Sequence, residues 1–134
     1  MLGVFLSGCN PAQVGQPKQG AGDPAELKVQ NIDSSGIPIL KPVGKPVLIM
    51  FTGNYWPTCR QMKPIVDGLI NEYQGKVKIY YVDVENQSYV DLLAAYRVNA
   101  VPTFAFINSD GTLNDYFVGG MSKEELVQKI EALK

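Results

Sequence analysis

Few residues in this 134-residue chain can do covalent chemistry. It carries two cysteines, Cys9 and Cys59, and no histidine. Without imidazole, Ser-His-Asp and Cys-His catalysis are excluded, and so is most zinc coordination. Two thiols cannot build a four-thiolate metal site or a disulfide-dense scaffold, so neither a metal nor a cofactor is expected. Cys59 stands in Tyr55-Trp56-Pro57-Thr58-Cys59-Arg60, where the pattern reads as a helix start. A thiol just inside a helix N-terminus, next to an arginine, has its thiolate favoured. The opposite reading is an inert, half-buried cysteine acting as a small hydrophobe. The sequence leaves both open. Twelve basic residues balance thirteen acidic ones for a formal net charge of −1, so nothing points to nucleic acid or an anionic surface as a partner. No apolar run approaches the ~20 residues of a spanning helix.

Cys9 has a different context. The opening MLGVFLSGC resembles the end of a bacterial lipoprotein signal. Leu6-Ser7-Gly8-Cys9 matches a lipobox, in which small residues precede a cysteine that is lipidated and becomes the mature N-terminus. Only eight uncharged residues precede Cys9, fewer than a full signal with its basic n-region. The resemblance implies that residues 1–9 are a signal remnant and Cys9 a lipid anchor. It also implies an extracytoplasmic location, in a periplasm or at a cell surface. Asn10–Asp23 holds no large apolar residue except Val14, so residues 10–26 read as a flexible tether that cannot offset its ordering entropy. Residues 1–46 contain six prolines, seven glycines and one aromatic, Phe5. The core must therefore come mainly from residues 47–134, and residues 27–134 read as one domain.

The elements that would position Cys59 alternate between strand and helix. Leu27–Ile32 reads as a weak first strand and Ser34–Leu40 as a turn or short helix. Val47–Phe51 (VLIMF) is a continuous apolar run, the mark of a strand buried on both faces. From Thr58 to Tyr73, Met62, Ile65, Val66, Leu69, Ile70 and Tyr73 form one helical stripe. Val77–Val84 is β-branched and aromatic, a strand. Ser88–Arg97 reads as a helix with Val90, Leu93 and Ala94 inward. Thr103–Ile107 and Leu113–Val118 flank Asp110-Gly111 as a hairpin. Ser122–Glu125 is a capping box opening a last helix, with Leu126, Ile130 and Leu133 inward. This order predicts an α/β fold: a central mixed β-sheet with helices on both faces.

Val47–Pro64, VLIMFTGNYWPTCRQMKP, resembles the active-site segment of the thioredoxin family. The apolar strand, Tyr55, Cys59-Arg60 and the helix proline Pro64 all fall in register. Val101-Pro102-Thr103 resembles the family's cis-proline loop, and Gly119-Gly120 its closing turn. The resemblance covers residues 27–134 and implies a thioredoxin-like fold. Its chemistry needs a Cys-x-x-Cys pair: the first, exposed thiolate attacks a disulfide and the second resolves the mixed disulfide. By register, Trp56 stands where the attacking cysteine belongs and Cys59 where the resolving one belongs. Met50 stands where many members bury a proton-carrying acid.

The resemblance therefore implies a thiol-disulfide oxidoreductase lineage with a degenerate WPTC motif and no two-cysteine turnover. One alternative is a non-catalytic module binding proteins or peptides along Val101 and Pro102, with Tyr55 and Trp56 as apolar contacts. The other is a monothiol protein using Cys59. A monomer is expected. Tyr80, Tyr81, Tyr89 and Tyr96 read as core and rim, and the charges of the last helix as a solvated face.

Overall fold

The computed structural model describes residues 20–134. The expectations for Cys9, the signal remnant and most of the tether fall outside these residues.

Val47–Thr52 (β3) is the axis of the molecule, with five of its six residues buried. It pairs in parallel with Lys78–Asp83 (β4), register Val47 to Lys78 through Thr52 to Asp83. On its other side it pairs antiparallel with Thr103–Ile107 (β5), which closes the expected hairpin with Leu113–Val118 (β6). The sheet order is β4-β3-β5-β6. Because β3 side chains alternate between faces, Leu48 and Met50 join one core cluster and Val47, Ile49 and Phe51 the other. The first cluster is closed by Pro57–Glu72 (α1) and Lys123–Glu131 (α3), the second by Val90–Ala95 (α2). This is the expected mixed sheet covered on both faces.

Three expectations change. Ser34–Leu40 keeps the expected turn only in its first half, and its second half is a strand. Asp33 accepts from Ser35 N and Ile37 N at 2.8 and 3.0 Å, Gly36 takes φ +84°, and Pro38–Leu40 becomes β2. Among the described residues, β2 pairs with Val29–Ile32 (β1), in a separate two-stranded sheet. α2 is shorter than Ser88–Arg97 and faces differently. A 3-10 turn at Gln87–Tyr89, capped by Asn86, precedes it and shifts its phase. Leu92 and Tyr96 are buried and Leu93 packs partly buried against the core as expected, whereas Val90 and Ala94 are exposed. Finally, residues 20–26 belong to the domain and not to a tether. Gly22 N donates to Ile79 O at 2.9 Å, and Glu26 accepts from Lys78 Nζ at 2.8 Å and from Tyr80 Oη. Leu27 is buried beside them. A polar composition does not prevent docking when backbone pairing and an ion pair are available.

The capping box at α3 is complete: Ser122 Oγ accepts from Glu125 N, and the Glu125 carboxylate accepts from Ser122 N at 3.0 Å. Leu126 and Ile130 point inward as expected, and Leu133 is partly buried. Tyr80 and Tyr96 are core, and Tyr81 and Tyr89 half-buried rim.

Candidate functional site

The site lies where β3 ends and α1 begins. Strand β3 delivers the chain to a tight turn, Gly53–Trp56, closed by Trp56 N donating to Gly53 O at 3.3 Å. Trp56 is then the N-cap of α1 with extended backbone, followed by Pro57 at the first helical position. Proline suits that position because its missing N–H would have no intrahelical partner. An indole cannot cap, and none of the first-turn amides is satisfied by it. Arg60 steadies the turn by reaching back, its Nη1 donating to Asn54 O at 3.1 Å.

The two chemically marked positions have opposite environments. Trp56 is 53 % exposed and Tyr55 77 %. Cys59, one turn further, is 2 % exposed and belongs to the core cluster with Met50 and Met62. It is a free thiol. Met50 is wholly buried, so this strand brings no acid to Cys59. Behind the turn is a cavity of about 180 Å³ that Cys59 lines together with Arg60, Lys63, Tyr81 and Asp83. Tyr81 donates to Asp67 at 2.5 Å, and Lys63 Nζ lies 4.6 Å from its ring centre. Burial, reinforced by that carboxylate, pushes the Tyr81 hydroxyl well above its ordinary range, so it stays protonated at physiological pH.

Opposite the turn stands the loop before β5. The Val101–Pro102 peptide is cis, as the family resemblance implies. Pro102 is buried, and its carbonyl accepts from Gly119 N at 2.8 Å. The Thr103 hydroxyl donates to Ala100 O at 2.7 Å. Among the described residues, Val101 N–H and C=O make no backbone hydrogen bond.

Two glycines permit these elements to close up. A Cβ on Gly53 would lie 2.7 Å from Trp56 Cδ1 and 3.6 Å from Val101 Cγ2. The space a side chain at residue 53 would need is therefore taken by the indole, with Val101 at its edge. A Cβ on Gly120 would lie 3.0 Å from Thr58 Cγ2, and the next residue, Met121, donates its N–H to Met62 Sδ at 3.5 Å. Trp56 and Val101 thus lie near one another around residue 53, with Tyr55 exposed next to Trp56 in the chain and Pro102 and Cys59 buried. Sequence reasoning missed Gly53. Its signal is only a small residue between a strand and a helix, which many turns share.

Comparison with known proteins agrees with this geometry. The thioredoxin family model matches residues 37–132. Among similar proteins are the thioredoxin-like protein HCF164 of Arabidopsis thaliana chloroplasts, 26 % identical over 109 residues, and the M-type chloroplast thioredoxin of Pisum sativum, 31 % identical over 106. These matches cover 80 % and 79 % of the chain but only 42 % and 59 % of the relatives' own lengths. A solved thioredoxin-like protein from Clostridium perfringens superposes with a TM-score of 0.61 at 31 % identity, over 67 % of this chain and 71 % of its own. With a strand-turn-helix site, a cis-proline loop and a matching family model, the chain belongs to the thioredoxin family.

Proposed function

We propose that this protein is an extracytoplasmic, monomeric member of the family that binds extended polypeptide segments without two-cysteine disulfide turnover. The observation that carries this is the contrast at the motif. The exposed position, where attack on a substrate disulfide would occur, is an indole, and the thiol is 2 % exposed in the core. What supports recognition is the Val101 N–H and C=O, which make no backbone hydrogen bond among the described residues, and two exposed aromatic rings on the β3–α1 turn. The location rests on the lipobox resemblance at Leu6–Cys9.

The binding test uses fluorescein-labelled, S-carboxymethylated insulin B chain, an extended polypeptide with blocked thiols, followed by anisotropy. Saturable binding is expected, together with no reduction of native insulin above the dithiothreitol background. Insulin reduction at a rate that depends on this protein would refute the reading. One observation favours the monothiol alternative, namely that Cys59 lines a cavity with the cations Arg60 and Lys63. Under the binding reading, Cys59 reacts with a thiol reagent only as fast as the fold opens. Labelling as fast as a free thiol would transfer the function to Cys59.

A further inference from the structure

Trp56 is the chain's single tryptophan, and its pose depends on one hydrogen atom two residues before Tyr55. The turn closed by the Trp56 N–H to Gly53 O bond folds the indole back across Gly53 Cα. There a Cβ would stand 2.7 Å from Cδ1 and 3.0 Å from Nε1, closer than carbon and nitrogen atoms approach without contact strain. From the same point Val101 Cγ2 is 3.6 Å away. The φ of Gly53 lies outside the left-handed region, so the backbone itself does not demand glycine there. A Cβ there would instead force the indole to shift.

We propose that Gly53 is a positioning residue: it seats the Trp56 indole against the Val101 loop and so makes that ring a fixed wall of the peptide groove. The fixed wall favours ligands with an apolar side chain beside the residue that pairs with Val101, because a preordered ring contributes area without losing side-chain freedom on binding. This deepens the groove reading and rests on it for the ligand, while the seat itself is a property of the free protein.

The experiment uses the full chain and the variants Gly53→Ala, Trp56→Leu and their double. In Gly53→Ala the indole must swing off residue 53. The acrylamide quenching constant should then rise, up to about twofold, the ratio of a fully free ring to one 53 % exposed. Its emission should move to the red. Affinity for the labelled, carboxymethylated B chain should fall in Gly53→Ala as far as in Trp56→Leu, and no further in the double variant. Unchanged quenching in Gly53→Ala would overturn the seat. An equal affinity loss from Gly53→Ala with and without Trp56 would overturn the positioning role. Should Gly53→Ala fail to fold, the double variant must fold, since the clashing ring is gone. A double variant that also fails would show that the backbone needs the glycine and would end the proposal. Absence of B-chain binding by the wild type would remove the groove reading, and quenching would still decide the seat.

Discussion

Replacing Trp56 by cysteine tests whether the fold still holds the geometry of a dithiol. Residues three apart in a helix are separated by about 5 Å between Cα atoms, from 1.5 Å rise per residue and a 2.3 Å radius. That is inside the ~4.4–6.8 Å window for a disulfide. The first turn is closed here, with Arg60 N donating to Trp56 O at 3.2 Å, so the geometry applies. The new thiol would occupy a half-exposed N-cap while Cys59 stays buried, which divides attacker from resolver in the required sense. A helix N-terminus favours a negative charge by roughly 0.3–1 kcal/mol, which multiplies the thiolate-to-thiol ratio about two- to fivefold. The indole is about half buried, so its loss removes on the order of 100 Å² of contact, at most about 2–3 kcal/mol of stability. Trp56→Cys should therefore fold, form a reversible disulfide between the introduced thiol and Cys59 in a glutathione buffer, and reduce insulin with dithiothreitol where the parent does not. It should remain slow, because Met50 cannot carry a proton for Cys59. Thiol counts before and after oxidation read the bond, and insulin turbidity reads the turnover. Both thiols of the pair still titratable in the oxidised, folded variant would refute the geometric reasoning. A formed bond without insulin reduction would refute the claim that only the attacking sulfur is missing.

The surrounding structure carries further expectations. At Gly111, φ is +92° and a Cβ would lie 1.9 Å from Leu40 O, across the contact where Leu40 N donates to Gly111 O; Gly111→Ala should destabilise by about 3 kcal/mol or more in urea unfolding. The hydrogen bond from Lys78, helped by Tyr80, holds the Glu26 carboxyl below its ordinary 4.5, so its stabilisation is present at neutral pH and fades as pH falls through the folded-state value. The pair is partly exposed, so Glu26→Gln should cost under about 1 kcal/mol at pH 7, with the gap to wild type narrowing as the carboxyl protonates in acid when both are unfolded in urea. If Leu6–Cys9 is processed as a lipobox, the protein made in a bacterial host with its native leader should partition into detergent, and Cys9→Ser should move it to the aqueous phase; an unmodified Cys9 in the mature protein would refute the anchor.

How much of the molecule is legible in its sequence depends on how local each cause is. The VLIMF run announces a strand buried on both faces, and Ser122–Glu125 announces its own helix start, because both signals are complete within a few residues. The α2 stripe misleads because its phase is set by the Asn86-capped 3-10 turn before it, which rotates each later residue. The strap at residues 20–26 is invisible because its partners, Ile79, Lys78 and Tyr80, lie more than 50 positions away. In the site, register alone places Trp56 and Cys59, and their contrast in exposure comes from a helix whose stripe includes Met62 and Val66. The Val101 backbone is reached only through the family resemblance of Val101-Pro102-Thr103, and Gly53 is not legible, since it acquires meaning only when the loop before β5 is laid beside the β3–α1 turn.

That distribution also explains how the family fold stands without an attacking thiol. The clusters on the two sheet faces take their buried area from Leu48, Phe51, Val66, Phe104 and Leu126 and their neighbours, and Trp56 belongs to neither. Cys59 does belong, as a small buried group packed with Met50 and Met62. Absence of the exposed sulfur therefore costs the core nothing, whereas replacement of Cys59 by a charged residue would place an unpaired charge in the core. The cysteine that is present is explained by packing, and the missing one belongs to the single position of the pair that packing does not constrain. What position 56 does meet is the glycine at residue 53, where a Cβ would lie 2.7 Å from its ring, so its surroundings are those of the β3–α1 turn and not of the core.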